Sequence, residues 1–183
     1  MLSRSVDPII LMSGLPASGK TTTAQRLHAR LGGVLIRQCD VYDRLGIDLR
    51  VWVRRTAGFT RDVAAYERVR DEAYAAMLEE LRAALSCGTP VVVDAVHGEV
   101  AKRQAIYALC VARTRRPVVV WCRCDDPDEV RRRFAERVGR GDPEHEASDL
   151  SIYDHVRSLW QAPLDDRLPD GSTVPVVVYD TAP

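Results

Sequence analysis

The chain has 183 residues, of which 46% are hydrophobic and 28% are charged, and its 26 basic residues balance 26 acidic ones. This length is enough to bury one sizeable core and too short for two ordinary domains, so we expect a single domain over residues 1–183. Zero net charge excludes the global basic field that non-specific nucleic-acid binders use.

Short runs of β-branched residues alternate with segments of helical periodicity along the chain. The predicted strands are residues 8–12, 34–36, 90–93, 117–121 and 174–179, and the predicted helices are residues 21–31, 66–85, 102–112 and 128–138. The strand runs are apolar throughout, as strands buried on both faces of a parallel sheet must be. The alternation therefore predicts a three-layer α/β fold.

A glycine-rich segment follows the first predicted strand and opens the first predicted helix. Its residues are Gly14, Leu15, Pro16, Ala17, Ser18, Gly19, Lys20 and Thr21, which match G-x-x-x-x-G-K-[ST] at every fixed position. Such a loop binds phosphates through its backbone N–H groups and through the positive end of the helix dipole. We expect it to bind ATP and Mg²⁺. In this interpretation Lys20 reaches the β- and γ-phosphates, the Thr21 hydroxyl is a magnesium ligand, and Thr22 caps the helix or contacts the α-phosphate.

Acidic residues follow the second and third predicted strands. Asp94 comes directly after the third strand and is expected to bind magnesium directly or through water. Asp40 follows the second strand and is a candidate general base for an attacking hydroxyl, while Asp43, three residues later, competes for that role. The sequence alone leaves the choice between Asp40 and Asp43 open.

Two arginine-rich segments are interpreted as an acceptor-side cap and as a lid that closes on ATP. Residues 41–61 carry five arginines and two aspartates, a local charge of +3, and we interpret residues 41–65 as an acceptor-side cap. Arg133 and Arg137 are four residues apart and share one helical face, which predicts an arginine-rich lid over residues 131–145. Arg133 is expected to stack on adenine, and Arg137 to neutralise charge in the transition state of phosphoryl transfer.

These features together resemble the P-loop kinases grouped with polynucleotide 5′-kinases, zeta-toxin-like kinases and chloramphenicol phosphotransferase. The resemblance rests on the phosphate loop, Cys39-Asp40, the run from Gly88 to Ala95, the arginines 133 and 137, and the ending through Asp180-Thr181. It implies a five-stranded parallel sheet of order 2-3-1-4-5, Asp40 as the general base, and Thr181 in the loop beside adenine. Polynucleotide kinases of this group usually have arginine three residues after the base, where this chain has Asp43.

We therefore expect an ATP-dependent phosphotransferase that acts on a hydroxyl of a small molecule. The alternatives are a polynucleotide 5′-hydroxyl kinase and a non-catalytic ATP-binding regulatory module. Five cysteines without a C-x-x-C pair, and the absence of any eighteen-residue apolar run or signal-peptide pattern, predict a soluble cytoplasmic protein with reduced thiols and no membrane partner. The acceptor and the oligomeric state cannot be read from the sequence.

Overall fold

A five-stranded parallel sheet forms the centre of the computed structural model, which describes residues 7–47, 63–140 and 150–182. The strands are β1 (Ile9–Ser13), β2 (Val34–Arg37), β3 (Val91–Asp94), β4 (Pro117–Arg123) and β5 (Val176–Asp180). Their order is β2-β3-β1-β4-β5, and every pair is parallel. This confirms the predicted sheet order, which brings the loop after β1 between the ends of β3 and β4.

Helices connect the strands and cover both faces of the sheet. They are α1 (Lys20–Leu31), α2 (Gln38–Arg44), α3 (Val63–Ser86), α4 (Val100–Ala112), α5 (Pro127–Arg140) and α6 (Leu150–Ser158). The four helices expected from periodicity are present. Helix α2 was not expected, because seven residues are too few to establish a helical period.

The core has two apolar layers, one on each side of the sheet. Alternate residues of β1 point to opposite faces, so Ile9 and Leu11 pack with α3 and α4, whereas Ile10 and Met12 pack towards Ala24 of α1. Both layers are fully covered along β1 and β3, which are completely buried. This arrangement is the expected three-layer fold of a P-loop protein.

Strand β5 departs from the predicted burial pattern. Val177, Val178 and Tyr179 are each more than 40% exposed, although the apolar run indicated a strand buried on both faces. The reason is its position at the edge of the sheet, where only β4 pairs with it. In the part of the chain that the structure describes, no helix combines the length and apolar character needed to cross a membrane.

Most of the acceptor-side cap predicted at residues 41–65 lies outside the described residues, including Arg50, Arg54 and Arg55. Residues 141–145 of the predicted lid also lie outside them. The cap and the lid therefore stay predictions. Helix α5 carries the arginine-rich part of the lid segment up to residue 140.

Candidate active site

The phosphate loop runs from the end of β1 to the start of α1, as the sequence predicts. Gly14 has φ +149°, and a Cβ atom there would lie 2.4 Å from the carbonyl oxygen of Cys122, so only glycine fits. Gly19 has φ +80° and immediately precedes α1. The Gly14 N–H donates to the Val96 carbonyl at 3.1 Å. This bond ties the loop to the residues after β3.

Lys20 lies folded across the loop. Its Nζ donates to the Leu15 carbonyl at 2.7 Å, and the residue is 8% exposed. A carbonyl of the loop itself therefore binds this ammonium, which is largely withdrawn from solvent. A phosphate oxygen that reaches Lys20 would therefore replace an existing hydrogen bond and would not have to draw the ammonium out of water.

Asp94 is at the centre of a polar cluster at the carboxyl ends of β1, β2 and β3. It is 4% exposed, it accepts a hydrogen bond from Thr21, and it lies opposite Arg37 in the parallel register of β2 and β3. Burial raises the pKa of this carboxyl, the charges of Lys20 and Arg37 and the Thr21 bond oppose the rise, and the Asp40 charge adds to it. The cluster joins five residues from three separate segments of the chain.

The oxygens of Asp94 and Thr21 are the donors in this cluster that a metal ion could use. One carboxylate and one hydroxyl suit Mg²⁺, which keeps several waters and takes further oxygens from phosphates. Among the described residues there is no group of three or more His, Cys, Asp or Glu side chains placed to hold a metal. The donor set therefore fits magnesium bound together with a nucleotide and does not fit a metal caged by protein alone.

Asp40 occupies the first turn of α2, not the end of β2, because the strand stops at Arg37 and the helix begins at Gln38. Arg37 Nη1 lies 3.4 Å from Asp40 Oδ1, and the Asp40 side chain is 42% exposed. The charge of Asp40 acts on Asp94, Arg37 and Cys39. Asp43 is exposed one turn further along α2 and forms no ion pair with any residue the structure describes. Of the two candidates, Asp40 is the one that belongs to the Asp94 cluster.

Arg133 of α5 connects the phosphate loop to the end of β5. Its Nη1 donates to the Ala17 carbonyl and to Thr181 Oγ1, each at 3.0 Å, and its Nη2 donates to the Thr181 carbonyl. Its Nε donates to Glu129 at 2.6 Å, which fixes the guanidinium on the helix. Arg133 thus holds α5 against the loop in this structure.

Thr181 packs against the other side of the same loop. Its side chain would contact a Cβ atom at Gly19 at 3.2 Å, and its hydroxyl lies 2.9 Å from the carbonyl oxygens of Ser18 and Arg123. Arg137 lies one turn beyond Arg133 on α5 and is partly buried. The structure therefore brings Arg133 and Thr181 to the phosphate loop and leaves the role of Arg137 untested.

A cavity of about 770 Å³ opens on the outer flank of the phosphate loop. Its walls include Leu15 and Pro16 of the loop, and the indole rings of Trp121 and Trp160, which lie 6.3 Å apart. Neither Asp40 nor Asp94 lines it. The cavity is large enough for a small organic molecule.

Sequence reasoning missed three residues beside the site. His97 is buried with φ +45°, and Arg103 and Asp166 form a buried ion pair behind it. A signal for Arg103 was present, because it shares a helical face with the apolar residues Ile106, Tyr107 and Cys110. A charged residue within an apolar stripe predicts a buried partner, but the sequence does not say which residue it is.

The family model described as AAA domain (AAA_33) matches residues 9–159. No curated protein matches the chain in sequence. Among solved structures, a gluconokinase from Sinorhizobium meliloti 1021 has 17% identity and a TM-score of 0.66, over 98% of this chain and 86% of that chain. The APS kinase of Mycobacterium tuberculosis, in complex with AMPPNP and APS, has 17% identity and a TM-score of 0.62, over 96% and 90%. Kti12 from Chaetomium thermophilum, in complex with ADP-AlF3, has 19% identity and a TM-score of 0.61, over 95% and 89%. At these identities the similarity establishes a shared fold.

Proposed function

Because the chain belongs to the AAA domain family, we propose that it is an ATP-dependent phosphotransferase that moves the γ-phosphate of ATP to a hydroxyl of a small molecule. The observation that carries this proposal is the cluster of Lys20, Thr21, Arg37, Asp40 and Asp94 beside the phosphate loop. Phosphoryl transfer needs a phosphate cradle, a metal ligand and a group that faces the incoming hydroxyl. The cluster offers a candidate for each of these.

On the donor side, the loop N–H groups and Lys20 bind the phosphates of ATP in this proposal, and Thr22 contacts the α-phosphate. Thr21 and Asp94 hold magnesium, which when bound neutralises charge on the phosphate oxygens. Arg133 and Thr181 flank the adenine, since both already contact the phosphate loop beside the end of β5. Arg137 neutralises charge that develops in the transition state.

On the acceptor side, Asp40 accepts the proton of the attacking hydroxyl. The acceptor oxygen forms a bond to the γ-phosphorus, the bond between that phosphorus and the ADP oxygen breaks, and the hydroxyl proton passes to the Asp40 carboxylate. Arg37 orients this carboxylate through their ion pair. The exposure of the Asp40 side chain leaves room for an acceptor to reach it.

Two observations support a small molecule as the acceptor. The chain has no net charge. Two of its structural relatives are a gluconokinase and an APS kinase.

A cytoplasmic location, where ATP is available, is part of the proposal.

The test is transfer of label from γ-labelled ATP to a panel of sugars, nucleosides, antibiotics and 5′-hydroxyl oligonucleotides. We expect one small-molecule class to accept the label. Lys20→Ala should reduce transfer more than about a hundredfold, or about 2.7 kcal/mol of barrier. Asp40→Asn should keep ATP binding and lose roughly 10²- to 10⁴-fold in rate, the usual contribution of a general base.

Asp43→Asn is the matched control, because it changes a carboxylate on the same helix outside the Asp94 cluster. Full activity of Asp40→Asn with loss in Asp43→Asn would transfer the role of base to Asp43. Labelling of oligonucleotides alone would favour the polynucleotide kinase. Tight ATP binding without transfer to any acceptor would contradict an enzyme and favour a regulatory module.

A further inference from the structure

A buried ion pair lies directly behind the turn that follows Asp94. Arg103 is completely buried and Asp166 is 5% exposed. Two nitrogens of Arg103, Nε and Nη2, donate to the two carboxylate oxygens of Asp166 at 2.6 and 2.9 Å, and the Tyr107 hydroxyl donates to the same carboxylate at 2.7 Å. The pair is therefore bidentate and has a third hydrogen bond, so its orientation is fixed.

The remaining nitrogen of Arg103 binds backbone. Nη1 donates to the carbonyls of His97, Gly98 and Gln161 at 3.0, 3.1 and 2.8 Å. Residues 97 and 98 form the turn between β3 and α4, and residue 161 follows α6. One guanidinium thus joins two segments that are more than sixty residues apart.

The same turn is hydrogen-bonded to the end of β1 and to the phosphate loop. The Ser13 hydroxyl donates to the His97 carbonyl at 3.3 Å, and His97 Nδ1 donates to the Met12 carbonyl at 2.6 Å. The first loop glycine, Gly14, donates to the Val96 carbonyl. A displacement of the turn would therefore move the start of the loop and the carboxylate of Asp94, which is three residues before His97.

We propose that Arg103 and Asp166 are positioning residues that hold the phosphate loop and Asp94 in the geometry that binds magnesium and ATP. This inference rests on the proposed function. A buried ion pair contributes little net stability, and apolar replacements of similar volume are often tolerated. The pair instead fixes the position of three backbone carbonyls. Two of them, those of His97 and Gly98, follow Val96, whose carbonyl accepts the hydrogen bond from Gly14 of the phosphate loop.

The chain contains a matched control for this idea. Arg115 is also a buried arginine beside α4, and its Nη2 donates to the carbonyls of Asp7 and Thr89 at 2.6 and 3.1 Å. Those carbonyls lie before β1 and β3, at the amino ends of the strands, whereas the phosphate loop lies at the carboxyl ends. Loss of Arg115 should therefore lower stability and leave nucleotide binding unchanged.

The experiment compares Asp166→Asn, Arg103→Gln and Tyr107→Phe with Arg115→Gln. Thermal unfolding is measured first, and the Kd for ATP with magnesium is then measured by calorimetry at a temperature where each variant is folded. We expect Asp166→Asn and Arg103→Gln to raise the Kd at least about tenfold, and Tyr107→Phe to raise it less, because misplaced binding groups lose affinity steeply. Arg115→Gln should lower the melting temperature and keep the wild-type Kd.

Equal ATP affinity in wild type and in all folded variants, together with lowered melting temperatures, would overturn the inference and leave the pair a structural feature. If the two charge variants do not fold, Tyr107→Phe decides the question, since it removes one hydrogen bond and keeps both charges. If the Kd of Tyr107→Phe for ATP then equals that of wild type, the inference is overturned. Failure of wild type to bind ATP would contradict the proposed function instead.

Discussion

His97 shows how one residue beside the phosphate loop can be fixed by its surroundings. Its Nδ1 donates to the Met12 carbonyl, so Nδ1 carries the proton, and Nε2 is buried with no hydrogen-bond partner among the residues that the structure describes. Burial is the main cause that lowers the pKa of His97 to about 3; the hydrogen bond to Met12 opposes this shift, and the nearby charges of Lys20 and Arg103 contribute to it. The imidazole is therefore neutral in the folded protein near neutral pH.

The low pKa of His97 predicts a loss of stability in mild acid. Below about pH 6.5 the unfolded chain binds a proton at this histidine and the folded protein does not, so the free energy of unfolding falls as the pH falls towards 3. His97→Asn keeps a donor for Met12 and tolerates the positive φ, but it does not titrate.

Urea unfolding at about pH 6.5 and pH 5 would measure this effect. Between these values wild type should lose about 1.6 kcal/mol more than His97→Asn, because a proton bound only by the unfolded chain is worth up to about 1.4 kcal/mol per pH unit and the unfolded histidine is half protonated at its ordinary pKa. His28→Asn, a change at a half-buried histidine of α1, is the control and should follow wild type. Parallel pH profiles for wild type and His97→Asn would contradict the neutral buried imidazole.

At the scale of elements, Arg133 supplies polar contacts that hold helix α5 against the phosphate loop, beside the apolar contacts of Val130 and Phe134 with Ala17. Arg133 contacts Ala17 of the phosphate loop and Thr181 after β5, so three parts of the chain meet at its guanidinium. Neighbouring Arg132 instead pairs with Glu129 and Glu136 on the same helix and is 55% exposed. Arg133 therefore connects α5 to two other segments of the chain, whereas the adjacent Arg132 pairs with residues of its own helix.

Arg133→Lys should weaken ATP binding, because a single ammonium cannot make the forked contacts to Ala17 and Thr181. We expect the KM for ATP to rise about tenfold or more with a smaller change in kcat. Arg132→Lys removes an arginine from the helix surface and should change neither value, since exposed pairs contribute little. Steady-state kinetics of both variants measure the KM for ATP and kcat. Equal KM values for Arg133→Lys and Arg132→Lys would contradict a role of Arg133 in ATP binding.

At the scale of the whole molecule, the net charge bears on whether the acceptor is a polynucleotide or a small molecule. The chain carries no net charge, and residues 41–61 carry a local charge of +3. Proteins that bind polynucleotides through many phosphate contacts lose affinity steeply as salt rises, because binding releases counterions. A small acceptor that meets one or two charged groups has no such dependence.

We therefore expect kcat/KM for the accepted small molecule to change less than about threefold between roughly 50 and 200 mM salt. Initial rates across this range, at saturating ATP, would measure it. A fall of roughly a thousandfold, seen with a 5′-hydroxyl oligonucleotide that also accepts the label, would identify a polynucleotide as the acceptor.

Patterns among residues close together in the sequence were sufficient to predict the phosphate loop and most of the helices and strands. The phosphate loop, four of the helices and the five strands follow from glycine spacing and from apolar periodicity, which depend on residues close together in the chain. The sheet order came from the family resemblance and is confirmed. The end of β2 was less well predicted, because Asp40 belongs to the short helix α2 that begins right after the strand.

The partners of charged side chains were decided by tertiary structure. Arg103 meets Asp166 across 63 positions, Arg133 meets Thr181 across 48, and Lys20 turns back onto the carbonyl of Leu15. A sequence pattern can indicate that an arginine will be buried, but its partner depends on which distant segments the sheet order brings together. The edge position of β5 has the same origin, since the same apolar run is buried in the middle of a sheet and exposed at its end.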